Sequence, residues 1–206
     1  GECAVMTICA PRAIAAVLVS LLLASAATAQ TAAPAGGVTV EGVVFEKEAQ
    51  VAGTALKLNG AGVRTKFVFK VYAAGLYLAA PARTPAEVYA AKGPKRLKVS
   101  FVRETDATTL GKTMSQVMSD NLPREQFGKC IPGLIKLGEL FADKKKMGVG
   151  EMFTVDEIPA KATVISINNK VAAEISEPEF FACLMYNYFG ERPADAKLKL
   201  ALLGGP

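Results

Sequence analysis

The stretch GVRTKFVFKVYAAGLYL, Gly62–Leu78, decides the fold of this 206-residue chain. β-Branched and aromatic residues dominate it, and these residue types favour strands. Phe67, Phe69 and Val71 fall on one face of the predicted strand, and the residues between them fall on the other. The Gly60-Ala61-Gly62 segment before it predicts a turn rather than a phosphate loop, because a strand follows it instead of a helix.

Outward from this stretch, strand patterns and helix patterns alternate in blocks along the chain. Further strands are predicted at 38–45, 56–59, 97–102, 151–156, 162–167 and 171–175. Helices are predicted to start at Thr84, at Thr105 or Asp106, before Phe127, at Ser176 and at Asp195. The order of strands, helices, strands and helices predicts an α+β domain, with helices packed on an antiparallel sheet.

Several short motifs place the ends of these elements. Thr84 with Glu87, and Ser176 with Glu179, have the spacing of capping boxes at helix starts. The Asn168-Asn169 pair suits a tight hairpin turn, because Asn tolerates a positive φ. The basic run Lys144-Lys145-Lys146 is placed at a helix end, where cations are favourable.

Arg64 is the first candidate for a binding role. It opens the β-rich stretch beside apolar residues, and a buried guanidinium needs an anionic partner. The partner is either an internal carboxylate, such as Glu104 or Glu46, or the carboxylate or phenolate of a ligand gripped by the guanidinium fork. The residues alone leave both interpretations open.

Other side chains could line a pocket near Arg64. Tyr72 and Tyr77 lie on opposite faces of a regular strand, where such tyrosines usually serve in packing. Met114 and Met118 form a flexible apolar stripe on one helix face, for which core packing is favoured over pocket lining.

The composition, 51% hydrophobic and 21% charged, is that of a folded domain rather than a disordered chain or a coiled coil. The chain contains no His and no Trp. The lack of His excludes Ser-His-Asp and Cys-His nucleophile systems and removes the commonest metal ligand. We therefore expect neither a cofactor nor a bound metal.

Cys130 and Cys183 occupy apolar positions of predicted helices. Two buried free thiols are the favoured interpretation, and a disulfide is the alternative. A zinc site is excluded, because two Cys without His cannot complete its ligand set.

The formal net charge is +5. Apart from the three consecutive lysines the basic residues are scattered, so the pattern does not predict nucleic-acid binding. An affinity for anionic ligands or for lipid surfaces is left open.

The N-terminal residues have the pattern of a cleavable signal peptide. Met6 is taken as the natural start, Arg12 supplies the positive region, residues 13–24 are apolar, and Ala27-Thr28-Ala29 fits the cleavage motif. Residues 1–29 are thus predicted to be a signal peptide with extra N-terminal residues, followed by a flexible leader over 30–37 and one domain over 38–206. The mature protein would begin at Gln30 in the periplasm, with no stable membrane anchor.

Two segments resemble the chalcone isomerase-like family, in particular its exported bacterial members. They are Gly62–Leu78, quoted above, and FFACLMYNYFGERPADAKLKLALLG, Phe180–Gly204. The resemblance covers about residues 38–204. The family that the chain resembles also contains plant chalcone isomerase and its fatty-acid-binding relatives. It implies an open-faced β-sandwich, in which an antiparallel sheet carries helices on one face and a ligand cleft lies between sheet and helices.

The resemblance also implies a set of ligand-binding residues. Arg64 stands at the essential Arg of the G-x-R motif, and Asn121 at the Asn that ends the first long helix. Tyr72 stands where the isomerase has a strand Thr, Met114 where it has its catalytic Tyr, and Asn187 where it has a late Thr or Ser. The anion-binding Arg is kept, while much of the hydroxyl network is replaced.

Loss of positioned donors typically costs orders of magnitude in rate, so the resemblance favours binding over catalysis. We expect non-catalytic binding of a small anionic apolar ligand, a fatty acid or a phenolic acid, and no catalytic residue. The alternatives are an intramolecular lyase or isomerase acting on a conjugated phenolic, and an envelope interaction module without a ligand.

Overall fold

A computed structural model describes residues 36–205, in which a seven-stranded antiparallel sheet packs against helices. This arrangement confirms the predicted α+β fold. The predicted signal peptide and the leader up to residue 35 lie outside the described residues.

The strands of the described part include one long hairpin near an edge of the main sheet. In chain order they are β1 Gly37–Val40, β2 Val43–Glu46, β3 Glu48–Val51, β4 Thr54–Lys66, β5 Phe69–Leu78, β6 Lys95–Phe101, β7 Thr105–Asp106, β8 Lys146–Met147, β9 Met152–Ile158, β10 Ala162–Ile167 and β11 Lys170–Ile175. The main sheet has the order β11-β10-β9-β6-β5-β4-β3, and β1-β2 and β7-β8 form separate pairs.

The helices of the described part cover one face of this sheet. They are α1 Pro85–Ala90, α2 Ala107–Asn121, α3 Arg124–Lys144, α4 Phe180–Phe189 and α5 Ala196–Leu202. Buried side chains of β5, β6 and β9 join those of α2, α3, α4 and α5 in one core. Within residues 36–205, none of the helices combines the length and hydrophobicity needed to cross a bilayer.

The predicted turn at Gly60-Ala61-Gly62 is wrong, because β4 runs straight through these residues. Their small size serves packing against α5 instead. A Cβ on Gly60 would overlap the backbone of Ala201, and a Cβ on Gly62 would lie 2.6 Å from the Ala201 Cβ. The glycines therefore let the last helix approach the sheet closely.

The actual turn of the long hairpin lies at Phe67 and Val68, in the middle of the predicted single strand. Lys66 pairs with Phe69 as the last register pair, and Phe67 adopts a φ of 56°. The turn was missed because it contains neither Gly nor Asn, the residues that normally adopt this conformation.

Two other boundaries differ from prediction. The segment 38–45 is a hairpin rather than one strand, since Glu41 and Gly42 both have positive φ and turn β1 into β2. The capping box proposed for Ser176 is wrong, because α4 begins after Glu179 without a side-chain cap. Pro178 disfavours helical backbone at the residue before it, so the helix starts later.

Other end signals are confirmed. Thr84 forms the predicted capping box, Asp106 and Asp195 cap α2 and α5, and α3 ends in the basic run at Lys144. The turn between β10 and β11 uses Asn168 and Asn169 with positive φ, as predicted.

Cys130 and Cys183 form a disulfide that joins α3 to α4. The favoured prediction of two free thiols is therefore wrong, and the alternative is correct. The two thiols occupy facing positions of packed helices, which residue spacing alone does not reveal.

The second face of the sheet carries polar side chains around a buried tyrosine. Tyr77 lies on this face, opposite to Tyr72, as predicted from alternation. Arg96 and Asp156, register partners on β6 and β9, form a two-pronged ion pair with two contacts of 2.6 Å. Opposite charges paired across neighbouring strands in this way stabilise the sheet.

Candidate functional site

Arg64 lies near the end of β4, on the face of the sheet that the helices cover. Its register partner on β5 is Tyr72, whose own partner on β6 is Phe101. The Tyr72 and Phe101 rings meet edge to face, with centroids 5.8 Å apart. The three side chains thus form a row across the strands beneath the helix layer.

The guanidinium of Arg64 is buried without an anionic partner. The residue is 8% exposed, its Cζ lies 5.6 Å from the centroid of the Tyr72 ring, and its Nε is buried without a hydrogen-bond partner. Within residues 36–205, no carboxylate lies within 4.0 Å of it. A buried charge of this kind is costly unless something pairs with it.

The internal carboxylates that could have paired with Arg64 are engaged elsewhere. Glu104 accepts from Lys146 at 3.0 Å, and Glu46 accepts from Lys98 at 3.0 Å. Asp195 accepts from the backbone N–H groups of Thr65, Lys197 and Leu198, so it caps α5. The interpretation of Arg64 as half of an internal ion pair is therefore wrong for these carboxylates.

A cavity of about 210 Å³ opens beside Arg64, between the β4–β5 hairpin and the start of α2. Its walls combine apolar side chains with three cations, one carboxylate and several hydroxyls. The lining residues are Arg64, Lys66, Phe67, Phe69, Val71, Arg103, Glu104, Thr105, Thr109, Leu110 and Thr113. Three cations against one carboxylate favour an anionic occupant with an apolar body.

The hydroxyls of α2 that line the cavity have partners within the protein. The Thr113 hydroxyl donates to the Thr109 carbonyl at 2.8 Å. The backbone N–H and the hydroxyl of Thr109 both bind the Asp106 carboxylate, and these two bonds lower the pKa of Asp106. The threonine protons are thus occupied, which leaves Arg64 as the main donor at the buried end of the cavity.

Tyr72 and Tyr188 form a buried phenol pair beside Arg64. Burial raises the pKa of Tyr72, while the Arg64 charge and a hydrogen bond from Tyr188 oppose the rise. Burial also raises the pKa of Tyr188. Both phenols keep their protons at neutral pH, so neither is suited to act as a general base there.

The structure brings Arg64 and Tyr72 together, but of the predicted ligand-binding residues only Arg64 lines the cavity. Met114 is buried in the helix–sheet core. Asn121 donates to the carbonyls of Val117 and Arg192 at 2.7 and 2.8 Å, so it ties the end of α2 to the chain after α4. Asn187 is 2% exposed and donates to a carbonyl of its own helix, while its Oδ1 is buried without a partner.

Several cavity residues were not predicted from the sequence. Thr109 and Thr113 are one helical turn apart beside Leu110, a spacing that could have marked a mixed polar and apolar wall. Met114 itself packs in the core, whereas its neighbour Thr113 lines the cavity. Tyr188 and Arg103 carried no local signal, because long-range packing brings them to the site.

Nothing in the described part of the chain suggests a metal centre, since no group of three His, Cys, Asp or Glu side chains is placed to hold an ion. Among the cavity hydroxyls, that of Thr109 is bound to a carboxylate, and the lowered pKa of Asp106 makes this carboxylate a weak base. The arrangement can hold an anion and exclude water from an apolar group attached to it.

Comparisons with known proteins agree with the fold. A family model described as chalcone isomerase-like matches residues 37–204. The crystal structure of a fatty-acid binding protein from Arabidopsis thaliana is similar to the chain, with a TM-score of 0.63, at 15% sequence identity, over 79% of this chain and 92% of that one. A comparison with curated proteins gives no match. The first two findings confirm the predicted resemblance and its sheet-and-helix architecture.

Proposed function

The chain belongs to the chalcone isomerase-like family, and from this premise we propose that its cavity binds a small anionic apolar ligand without catalysing a reaction. A fatty acid or a phenolic acid has the required chemistry. The observation that carries the proposal is the guanidinium of Arg64, buried at the cavity and paired with no carboxylate of the described residues. A ligand carboxylate would supply the missing partner.

The charge distribution supports an acid head group at the buried end. Arg64 offers a planar fork that matches the two oxygens of a carboxylate. Lys66 and Arg103 line the same cavity and add positive potential nearer the hairpin turn. The apolar walls formed by Val71, Leu110 and Phe69 would receive the start of a hydrocarbon chain or an aromatic ring.

The volume restricts how much of a ligand the cavity encloses. At about 210 Å³ it is smaller than the usual range for drug-sized ligands, about 300–1,000 Å³. A short acid would fit inside, whereas a long-chain acid would extend past Phe67 and Phe69. The fatty-acid binding described for the structural neighbour concerns that protein, and it makes fatty acids the first ligands to test here.

The test is calorimetric titration of the protein with a short fatty acid in the absence of vesicles. We expect Arg64→Ala to weaken binding by about 1.5–3 kcal/mol, the scale of a hydrogen bond to a charged group. Arg64→Lys should recover only part of the affinity, because an ammonium group cannot form the fork. Arg124→Ala is the matched control, since Arg124 is exposed at the start of α3, away from the cavity lining.

Equal affinities for Arg64→Ala and the wild type would contradict the proposal. A catalytic role is tested on the same variants with a hydroxychalcone, measured against buffer alone. Because the threonine protons at the cavity are occupied and the two phenols keep theirs, we expect racemic flavanone at the buffer rate. An excess of one enantiomer that depends on Arg64 would show that the protein is an isomerase.

We further propose that the protein is exported to the periplasm. The signal-peptide pattern of residues 6–29 motivates this, and the Cys130–Cys183 disulfide supports it, because disulfides persist mainly in oxidising compartments. N-terminal sequencing of the protein from its native host should start at Gln30. A mature protein that still contains Arg12 would contradict export by cleavage.

A further inference from the structure

The turn of the β4–β5 hairpin exposes apolar side chains. Phe67 is 89% exposed and Val68 is 83% exposed, the two highest values among the large hydrophobic residues described. Phe69 beside them is 49% exposed. Contiguous exposed apolar residues usually mark a contact surface, and we call Phe67, Val68 and Phe69 the hairpin tip.

The backbone of the hairpin tip is unfavourable for its residues. Phe67 has a φ of 56°, a conformation in which a bulky side chain is strained. The turn between β10 and β11 adopts positive φ with Asn168 and Asn169, which tolerate it. Packing within the chain does not compensate for the strain at Phe67, since the side chain is almost fully exposed.

Cations surround the hairpin tip. Arg103 places its Cζ 4.2 Å from the centroid of the Phe69 ring, and Lys66 immediately precedes the turn. Neither forms an ion pair with any residue of the described part. The nearby acids are already matched, Glu41 by Lys70 and Glu104 by Lys146, so the surroundings of the tip are net positive.

The same end of the sheet carries further exposed apolar residues. Val149 is 70% exposed, in the loop whose Gly150 N–H donates to the Phe101 carbonyl at the end of β6. Val171 is 63% exposed and follows the turn between β10 and β11. The apolar character therefore extends beyond one turn, along this end of the sheet.

We propose that this end of the molecule docks on an anionic lipid bilayer, with the hairpin tip inserted at the level of the head groups. Apolar residues at a turn flanked by unpaired cations match such an interface, where hydrocarbon lies directly below negative phosphates. An apolar groove of a protein partner would satisfy the phenylalanines but would leave Lys66 and Arg103 unmatched. A free phosphate would satisfy the cations but would leave the phenylalanines in water.

Docking in this way would bring the cavity to the membrane surface. Phe67 and Phe69 line the cavity as well as forming the tip. A ligand with an acid head and an apolar tail could then pass between bilayer and cavity without crossing water. This last consequence rests on the proposed function, whereas the docking itself does not.

Sedimentation with vesicles tests the docking. The full chain is mixed with vesicles of phosphatidylcholine and phosphatidylglycerol in equal parts, or of phosphatidylcholine alone. Phe67→Ser with Val68→Ser should weaken binding at least about tenfold, because the inserted apolar area is lost. Lys66→Ser with Arg103→Ser should weaken binding to the anionic vesicles about thirty-fold and leave binding to the neutral ones unchanged.

The matched control is Ile131→Ser with Ile135→Ser, which removes two exposed apolar side chains from α3. This control should bind as the wild type does. Since the N-terminal residues are the same in every chain, differences between variants report on the substituted side chains. Equal binding by the tip variant and the wild type, or an equal loss in the control, would overturn the proposal.

A second measurement does not depend on removing side chains. The chain has no Trp, so Phe67→Trp introduces a single fluorescent reporter at the tip. Its emission should shift to shorter wavelength on addition of anionic vesicles, and that of Ile135→Trp should not. An unshifted Phe67→Trp spectrum at saturating vesicles would contradict insertion. The ligand titration without vesicles tests the proposed function separately, so its outcome does not depend on whether the protein docks on vesicles.

Discussion

Glu151 shows how a single residue ties the stability of this protein to pH. Its carboxylate accepts from Lys144 at 2.6 Å, from the Gly148 N–H at 2.7 Å and from Asn168 at 2.9 Å. These bonds, with that from Lys144 contributing most, lower its pKa from 4.5 to about 2. The residue thereby joins the end of α3 to the start of β9 and to the turn after β10.

We expect Glu151→Gln to lower the free energy of unfolding at neutral pH by about 1 kcal/mol, the upper end for a partly exposed ion pair. The folded-state pKa is depressed, so the stabilisation is present above about 4.5 and is lost as the pH falls toward 2. Urea unfolding at neutral pH and near pH 2 measures this difference. Glu139→Gln, on the exposed surface of α3, is the control. If the wild type and Glu151→Gln still differed in unfolding free energy near pH 2, the assignment would be contradicted.

The individual site residues differ in how well the sequence predicted their positions. Arg64 was identified from its type and position, because a guanidinium beside apolar strand residues must find an anion. Met114, Asn121 and Asn187 were carried over from the family resemblance, and the structure places them in the core, at a helix end and in a buried helix position. Chain position alone does not determine which side chains face a cavity, since a shift of one helical residue moves a side chain by about 100°.

At the scale of elements, the contact between β4 and α5 depends on residues without side chains. Gly62→Ala would place its Cβ 2.6 Å from the Ala201 Cβ, so we expect a loss of about 1–3 kcal/mol in unfolding free energy. Ala201→Gly alone should cost about 1 kcal/mol, as a glycine in a helix does. In the double variant the two losses should sum to less than their separate values, because the second change makes room for the first.

Gly60→Ala provides the contrast, since its Cβ would overlap the backbone of Ala201 and its neighbours, which no substitution at position 201 removes. Chemical denaturation of the single and double variants measures the coupling. Strict additivity for Gly62→Ala and Ala201→Gly would show that the two atoms do not meet.

The same elements explain why the turns were misplaced. Helix starts with side-chain caps, such as Thr84, and the Asn168-Asn169 turn were predictable because their signals are local. Gly60-Ala61-Gly62 also has the composition of a turn. Its glycines instead make room for α5, a helix about 140 residues away in the chain. The true turn at Phe67 violates local preference, and such violations are expected where a segment serves a function rather than the fold.

At the scale of the whole molecule, the Cys130–Cys183 disulfide closes a loop with a sequence separation of 53 residues. A cross-link of that span is expected to stabilise the folded state by about 4 kcal/mol through the unfolded chain. We expect the Cys130→Ala, Cys183→Ala variant to lose a free energy of unfolding of this order. Guanidinium unfolding measures this loss in the variant, and in the wild type with and without reductant. If reductant left the unfolding midpoint of the wild type unchanged, the expectation would be contradicted.

The disulfide also makes part of the protein a covalent ring. Strands β9, β10 and β11 lie on this ring, and Lys161, in the turn between β9 and β10, is exposed. A protease that cuts once after Lys161 would open the ring without releasing a fragment. On a gel without reductant the nicked chain would run as one species, and reductant would separate it into two. The two pieces would stay tethered at high effective concentration, so a cut at this turn need not dismantle the sheet.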